Sequence, residues 1–274
     1  MNMADCENCP SKGKCSGQQK QECSVKNNPF NVIQSVVAVM SGKGGVGKST
    51  VTSLLARSLR EMGLVVGVLD ADVTGPSIPR LLGAVDVRLG QGAAGIEPAV
   101  NAQGIKIMSL NYMLESEDAP VIWRGPMISG VITQFWTDVF WGELDVLLVD
   151  LPPGTGDAAL TVMQSLPLSG AVMVSTPQDM VAMIVAKAVH MAEKMNIRVL
   201  GTVENMSYVE CPDCGKKIDL FAGKKQDDSM SRLGLPLLAE LPLAPGLDPS
   251  GEIPEGIRER MGKAAARILD SVKK

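Results

Sequence analysis

Short β-branched and aliphatic runs alternate along the chain with longer amphipathic stretches. The run SVVAVM starts at Ser35 and leads into the Gly-rich SGKGGVGKST. The segment STVTSLLARSLREMG then sets Val51, Leu54, Leu55, Leu59 and Met62 on one helical face and stops at Gly63. Six further apolar runs follow: LVVGVLD, IKIMSL, LDVLLVD, GAVMVST, VLGTVE and LPLLAELP. Helix-like segments such as QDMVAMIVAKAVHMAEKM lie between several of them. Runs buried on both faces and separated by helices predict an α/β fold, a doubly wound, mostly parallel sheet flanked by helices. No internal repeat is visible in the sequence.

Other patterns mark boundaries. Residues 1–30 are rich in Lys, Gln, Ser and Cys and lack periodicity, so they read as an appended cysteine-rich segment before a main domain over 31–274. Gly90, Gly92 and Gly95 have G-x-G-x-x-G spacing, but no helical pattern follows and Pro98 comes early, so a surface hairpin is predicted instead of a dinucleotide loop. The Ala-rich amphipathic RERMGKAAARILDSVKK is expected to pack on the domain. His190, the only histidine, falls in a helical pattern with no catalytic neighbour.

With 26 basic and 30 acidic residues the net charge is −4, which excludes nucleic-acid binding by bulk electrostatics. No apolar run approaches the ~20 residues of a membrane span. The polar start MNMADCENCP has no secretory h-region. A cytoplasmic protein is expected, and in that compartment six cysteines read as metal or redox ligands more readily than as disulfides.

The stretch GKGGVGKS fits G-x-x-x-x-G-K-[ST] and lies between a strand and a helix. Glycines let consecutive N–H groups turn toward phosphate oxygens, and the helix N-terminus adds its dipole. Gly42, Gly44, Gly45, Val46, Gly47 and Thr50 therefore form the cradle. Lys48 reaches the β- and γ-phosphates, and Ser49 ligates Mg²⁺. Asp150, ending LDVLLVD, is expected to hold the metal through water, while the turn LPPGTGD ending in Asp157 suits a phosphate-sensing loop. In VLDADVTGPS, alternation separates Asp70 from Asp72, and Asp72 is the better candidate for orienting the attacking water. No N-K-x-D segment for guanine is present. Asn205 in VENMS offers an amide suited to adenine, which favours ATP.

The loop carries a second lysine, Lys43, and KGGVGKS resembles the deviant Walker A signature of the MinD/ParA/nitrogenase iron-protein class. SGKGGVGKST, WRGPMISG, WGELDVLLVDLPPGTGD, STPQ and VENMSYVECPDCG, in that order, resemble the Mrp/ApbC family of iron–sulfur cluster carrier ATPases over roughly residues 31 to 250. The resemblance implies a SIMIBI-type P-loop NTPase that works as a homodimer, hydrolyses ATP and delivers clusters to apo-proteins. It also implies that Lys43 crosses the dimer interface to the partner's nucleotide.

The cysteines fall in two groups. Cys6, Cys9 and Cys15 have the C-x2-C-x5-C spacing of the ferredoxin-like extension in eukaryotic scaffold relatives. Those relatives carry one further cysteine upstream, for which Cys23 would have to substitute. Cys211 and Cys214 are separated by two residues, so both sulfurs can face one ion or cluster. A [4Fe–4S] centre or a structural zinc usually takes four ligands, and a two-fold axis would supply the other two. An exposed knuckle turn around Gly215 is the plainer alternative. Two other functions stay open: a nucleotide-gated positioning ATPase, which gives the cysteines no role, and a zinc-stabilised adaptor.

Overall fold

The computed structural model describes residues 27–72, 75, 77–85, 87, 89–113, 125–177, 179–211, 213–220, 234–244 and 247–273. The expectations placed on Cys6, Cys9, Cys15 and Cys23 lie outside these residues.

The described strands are β1 (Val32–Ser41), β2 (Val66–Asp70), β3 (Gly90–Gly92), β4 (Gly95–Glu97), β5 (Ala99–Val100), β6 (Lys106–Ser109), β7 (Glu143–Asp150), β8 (Gly170–Ser175), β9 (Val199–Glu204), β10 (Tyr208–Glu210), β11 (Lys217–Asp219) and β12 (Leu237–Glu240). Eight of them form one sheet in the order β12-β9-β8-β1-β7-β2-β6-β5. Every neighbouring pair is parallel except β5 with β6, an antiparallel edge. The apolar runs are continuous because both faces are covered: all five residues of β2 and all six of β8 are buried. The stretch with G-x-G-x-x-G spacing is the β3–β4 hairpin, as its glycines and early proline predict.

The described helices are α1 (Lys48–Glu61), α2 (Ile78–Leu81), α3 (Gly125–Thr137), α4 (Asp157–Ser165), α5 (Asp179–Lys194) and α6 (Glu255–Val272). One core joins α1 and α6 to Val37, Val39, Val66, Val68 and Leu148 of the sheet. The other joins α3, α4 and α5 to Val36, Ala38, Leu147 and Val149, the alternate residues of the same strands. The C-terminal helix packs on the domain through Ile257, Met261, Ala264, Ala265 and Ile268, and the two alanines let it lie close to α1. One expectation needs correcting. Met62 is not on the buried face of α1: the helix ends at Glu61, and Met62 is its exposed C-cap before Gly63 turns the chain at φ +86°.

Helix α3 forms in spite of the mid-helix Gly130, while Gly125 and Pro126 fall in its first turn, where a missing N–H costs no helix hydrogen bond. Ile128, Ile132, Phe135 and Trp136 recur at helical spacing and are buried, each worth roughly 1.5–3 kcal/mol. That gain outweighs a mid-helix glycine cost of about 1 kcal/mol. Strand β1 runs down the middle of the sheet, flanked by β7 and β8, while the chain leaves it to form β2 beyond β7. The C-terminal ends of β1, β2 and β7 therefore open onto one crevice, where doubly wound sheets bind ligands.

Candidate functional site

The crevice is built on Asp150, the last residue of β7, which is fully buried. Register sets it beside Val39 of β1 and Asp70 of β2. Three groups from the start of α1 converge on its carboxylate. Lys48 Nζ donates to Oδ2 at 2.7 Å, Ser49 Oγ donates to the same oxygen at 2.6 Å, and Thr52 Oγ1 lies 2.7 Å from Oδ1. Thr52 Oγ1 is also 3.0 Å from the Lys48 carbonyl. It has one proton for two acceptors, and the carboxylate is the stronger of them. Lys48 is itself only 6% exposed, and its ammonium lies 3.7 Å from Asp72 Oδ2. A buried cation between two carboxylates, at the N-terminus of a helix, is an arrangement set for polyanion exchange: incoming phosphates can take the lysine while a metal takes the carboxylate.

The turn between β1 and α1 has Gly45 and Gly47 at φ +78°, a left-handed backbone that suits glycine. Gly47 is required for space as well, since a Cβ there would lie 2.2 Å from Asn205 Nδ2. Asn205 is buried just beyond β9, and Nδ2 donates to the Val46 carbonyl at 3.0 Å. The amide expected to read adenine thus already grips the phosphate loop. Ser41 Oγ donates to the Lys43 carbonyl at 3.0 Å, and Lys43 is half-buried beside the exposed Gly44 and Gly45. Thr50 is half-buried on the first turn of α1, and Asp157 is exposed at the first position of α4. The loop before Asp157 leans on the cradle through Gly154 N–H to the Ser41 carbonyl at 2.9 Å.

Asp70 and Asp72 separate as alternation predicts. Asp72 faces Lys48, whereas Asp70 turns into the protein, where Oδ2 accepts from Ser109 Oγ and the Ile78 amide, and Oδ1 from the Asp72 amide. Burial, reinforced by the Asp150 charge and only partly offset by Lys48, pushes the Asp70 carboxyl up to about 8. Ser49 and Asp150 supply oxygen donors, the class magnesium selects, so the residues present fit that ion.

The second expected site is a hairpin. Strands β10 and β11 pair antiparallel, and Cys211 and Cys214 occupy the turn between them. The Cys211 amide donates to the Lys216 carbonyl at 3.0 Å, and the Gly215 amide donates to the Cys211 carbonyl at 2.8 Å, with Gly215 at φ +69°. The backbone N–H groups of Cys214 and Asp213 and then the Cys214 thiol point at the Cys211 sulfur and hold its pKa below the ordinary thiol value. Cys211 is half-buried and Cys214 exposed. Among the described residues, no group of three His, Cys, Asp or Glu side chains could hold a metal, so this pair stands two ligands short of four.

Sequence reasoning missed Thr52 and the hairpin strands. Thr52 lies one helical turn past Lys48, a spacing that could have suggested it. YVE and KID are too short and polar to read as strands.

The comparisons agree with this geometry. A family model described as "ParA: NUBPL iron-transfer P-loop NTPase" matches residues 32–273. An iron–sulfur cluster carrier protein of Clostridium perfringens is 50% identical over 254 residues, covering 88% of this chain and 89% of that protein. One of Methanocaldococcus jannaschii is 47% identical over 243 residues, covering 87% and 83%. A nucleotide-binding protein of Archaeoglobus fulgidus, solved in complex with ADP, has a TM-score of 0.70 at 43% identity and covers 86% of this chain and 88% of its own. The cell division ATPase MinD of Pyrococcus furiosus shares the fold, with a TM-score of 0.60 at 22% identity, covering 86% and 99%. The phosphate loop closed on Asp150 and the match over residues 32–273 agree: the chain belongs to the ParA family of NUBPL-type iron-transfer P-loop NTPases, the class of the Mrp/ApbC iron–sulfur cluster carrier ATPases.

Proposed function

We propose that the chain is an ATP-hydrolysing carrier that holds an iron–sulfur cluster between two copies of itself and gives it to apo-proteins. The observation that carries this reading is the β10–β11 hairpin, whose tight turn sets the free thiols of Cys211 and Cys214 two residues apart on a chain that also carries a phosphate loop. A positioning ATPase has no use for such a turn.

At the nucleotide, Lys48 leaves Asp150 for the β- and γ-phosphates. Ser49, and Asp150 through water, would hold Mg²⁺, which would supply positive charge beside the phosphates. Asp72, next to Lys48, orients the water that attacks the γ-phosphorus as ADP departs. Asn205 has a second amide N–H and a carbonyl oxygen to offer adenine. Lys43 reaches the partner's nucleotide, so each phosphate group gains a second lysine only in the dimer. That condition makes ATP favour association.

Two thiolates per chain become four across a two-fold axis, enough for one [4Fe–4S] cluster. Because nucleotide and cluster share the interface, each changes the other's binding. Cys6, Cys9, Cys15 and Cys23 are proposed to hold a further cluster within one chain. The test is Mg²⁺-dependent ATP hydrolysis together with iron and acid-labile sulfide analysis of anaerobically purified protein. Wild type should hydrolyse ATP and hold both iron and sulfide, whereas Lys48→Ala should fail to bind nucleotide. Equal hydrolysis by the two, or zinc in place of iron, contradicts the reading.

A further inference from the structure

Only five residues separate Asn205 from Cys211, and this short segment is tied down along its length. At its start, Asn205 Nδ2 holds the Val46 carbonyl at 3.0 Å and presses against Gly47 so closely that no Cβ fits between them. The Asn205 backbone N–H donates to the Ser175 carbonyl at 2.8 Å. Met206 is held at φ +54°, a left-handed backbone unusual for a residue with a side chain. The Ser207 amide donates to the Leu241 carbonyl at 2.9 Å, and its hydroxyl lies 3.0 Å from Glu204 Oε1. Tyr208 is buried, with Lys217 Nζ 4.0 Å from its ring centroid and the Leu243 amide donating to its carbonyl at 2.7 Å. Strand β10 then runs straight into the knuckle.

We propose that Asn205 is a positioning residue that transmits the state of the phosphate loop to the cysteine knuckle of the same chain. The loop cannot change shape around a nucleotide without moving a side chain that hydrogen-bonds Val46 and abuts Gly47. A base that takes the remaining amide groups of Asn205 pulls on the same side chain. The Asn205 backbone is held to β8 and the residues after it to residues 241–243 and to β11, so movement of the side chain is passed along β10 to the turn at Cys211. Cys211 is half-buried at that turn and Cys214 exposed, so a shift of the turn changes how readily a reagent reaches the Cys211 sulfur. This route lies within one chain and acts in addition to the shared interface. It rests on the carrier reading given above.

The test uses the full-length, cluster-free chain and measures iodoacetamide alkylation of Cys211 with and without saturating Mg-ADP. Tandem mass spectrometry of the tryptic peptide 199–216 separates Cys211 from Cys214. Equilibrium dialysis measures nucleotide occupancy in the same samples. In wild type, ADP should change the Cys211 rate by about fivefold or more, the low end of ordinary coupling between sites. Asn205→Ala, brought to the same occupancy with more ADP, should show less than about a twofold change. Met206→Gly, which relaxes the left-handed turn, should bind ADP as wild type does and lose most of the response. A merely structural role for Asn205 would shift both rates together and leave their ratio intact. The inference is overturned if wild type binds ADP without a change at Cys211, or if Asn205→Ala keeps the wild-type ratio at full occupancy. Failure of wild type to bind ADP at all overturns the carrier reading along with it.

Discussion

Replacing Thr52 by valine removes one hydroxyl and preserves shape and β-branching. The Thr52 hydroxyl is 2.7 Å from Oδ1 of Asp150, whose other oxygen takes Lys48 and Ser49. Asp150 has no exposed surface, so water cannot replace the lost donor. A hydrogen bond to a charged group is worth roughly 1.5–3 kcal/mol, and a buried oxygen left without a partner carries that cost in full. The helix hydrogen bond accepted by the Lys48 carbonyl is unaffected. Thr52→Val should therefore unfold about 2 kcal/mol more easily, with Tm lower by roughly 4–8 °C. Thr52→Ser, which keeps the donor and loses only a methyl group, should recover more than half of that difference. Urea titration of the three proteins measures it. A Thr52→Val chain within about 0.5 kcal/mol of wild type, the scatter of ordinary surface changes, refutes the claim that Asp150 depends on this hydroxyl.

Two further outcomes follow from the same crevice. Asp72→Asn should still bind ATP but turn it over roughly 10²–10⁴-fold more slowly, the usual share of a positioned base, and single-turnover hydrolysis with measured occupancy checks this. Asp70, held near 8 against an ordinary 3.8, keeps its proton in the folded chain where the unfolded chain has released it. Between those values the folded state binds one more proton, so this group's stabilisation is complete below about pH 4 and is lost as pH rises toward 8, at up to about 1.4 kcal/mol per pH unit. Asp70→Asn should flatten that decline in urea titrations across this range, and unchanged slopes contradict the assignment.

What the sequence made legible follows from how local each signal is. The phosphate loop, Lys48 and Ser49 sit in one contiguous motif, and Asp150 ends an unbroken apolar run, so pattern alone found them. The parallel sheet was readable because strands buried on both faces, such as GAVMVS, carry no polar interruption. Thr52 was not, because a threonine inside a helix looks like a poor helix former until the fold brings β7 alongside. Helix α3 was hidden by its glycines and proline and was recoverable only from the burial of Phe135 and Trp136. Asn205 was expected to meet adenine from its place after VLGTVE, but its grip on Val46 depends on the β9–β10 turn meeting the phosphate loop, a contact across 159 residues. The hairpin around Cys211 escaped because strands of three residues, with polar ends, give no period to detect.

The shared cluster is the central claim, and cluster stoichiometry by anaerobic native mass spectrometry tests it most directly. Full-length wild type reconstituted with iron and sulfide should form a dimer carrying one more cluster per two chains than Cys211→Ser or Cys214→Ser, each of which should lose that cluster. Equal cluster content in wild type and both variants, or a stable cluster at this pair in a monomer, would contradict the account.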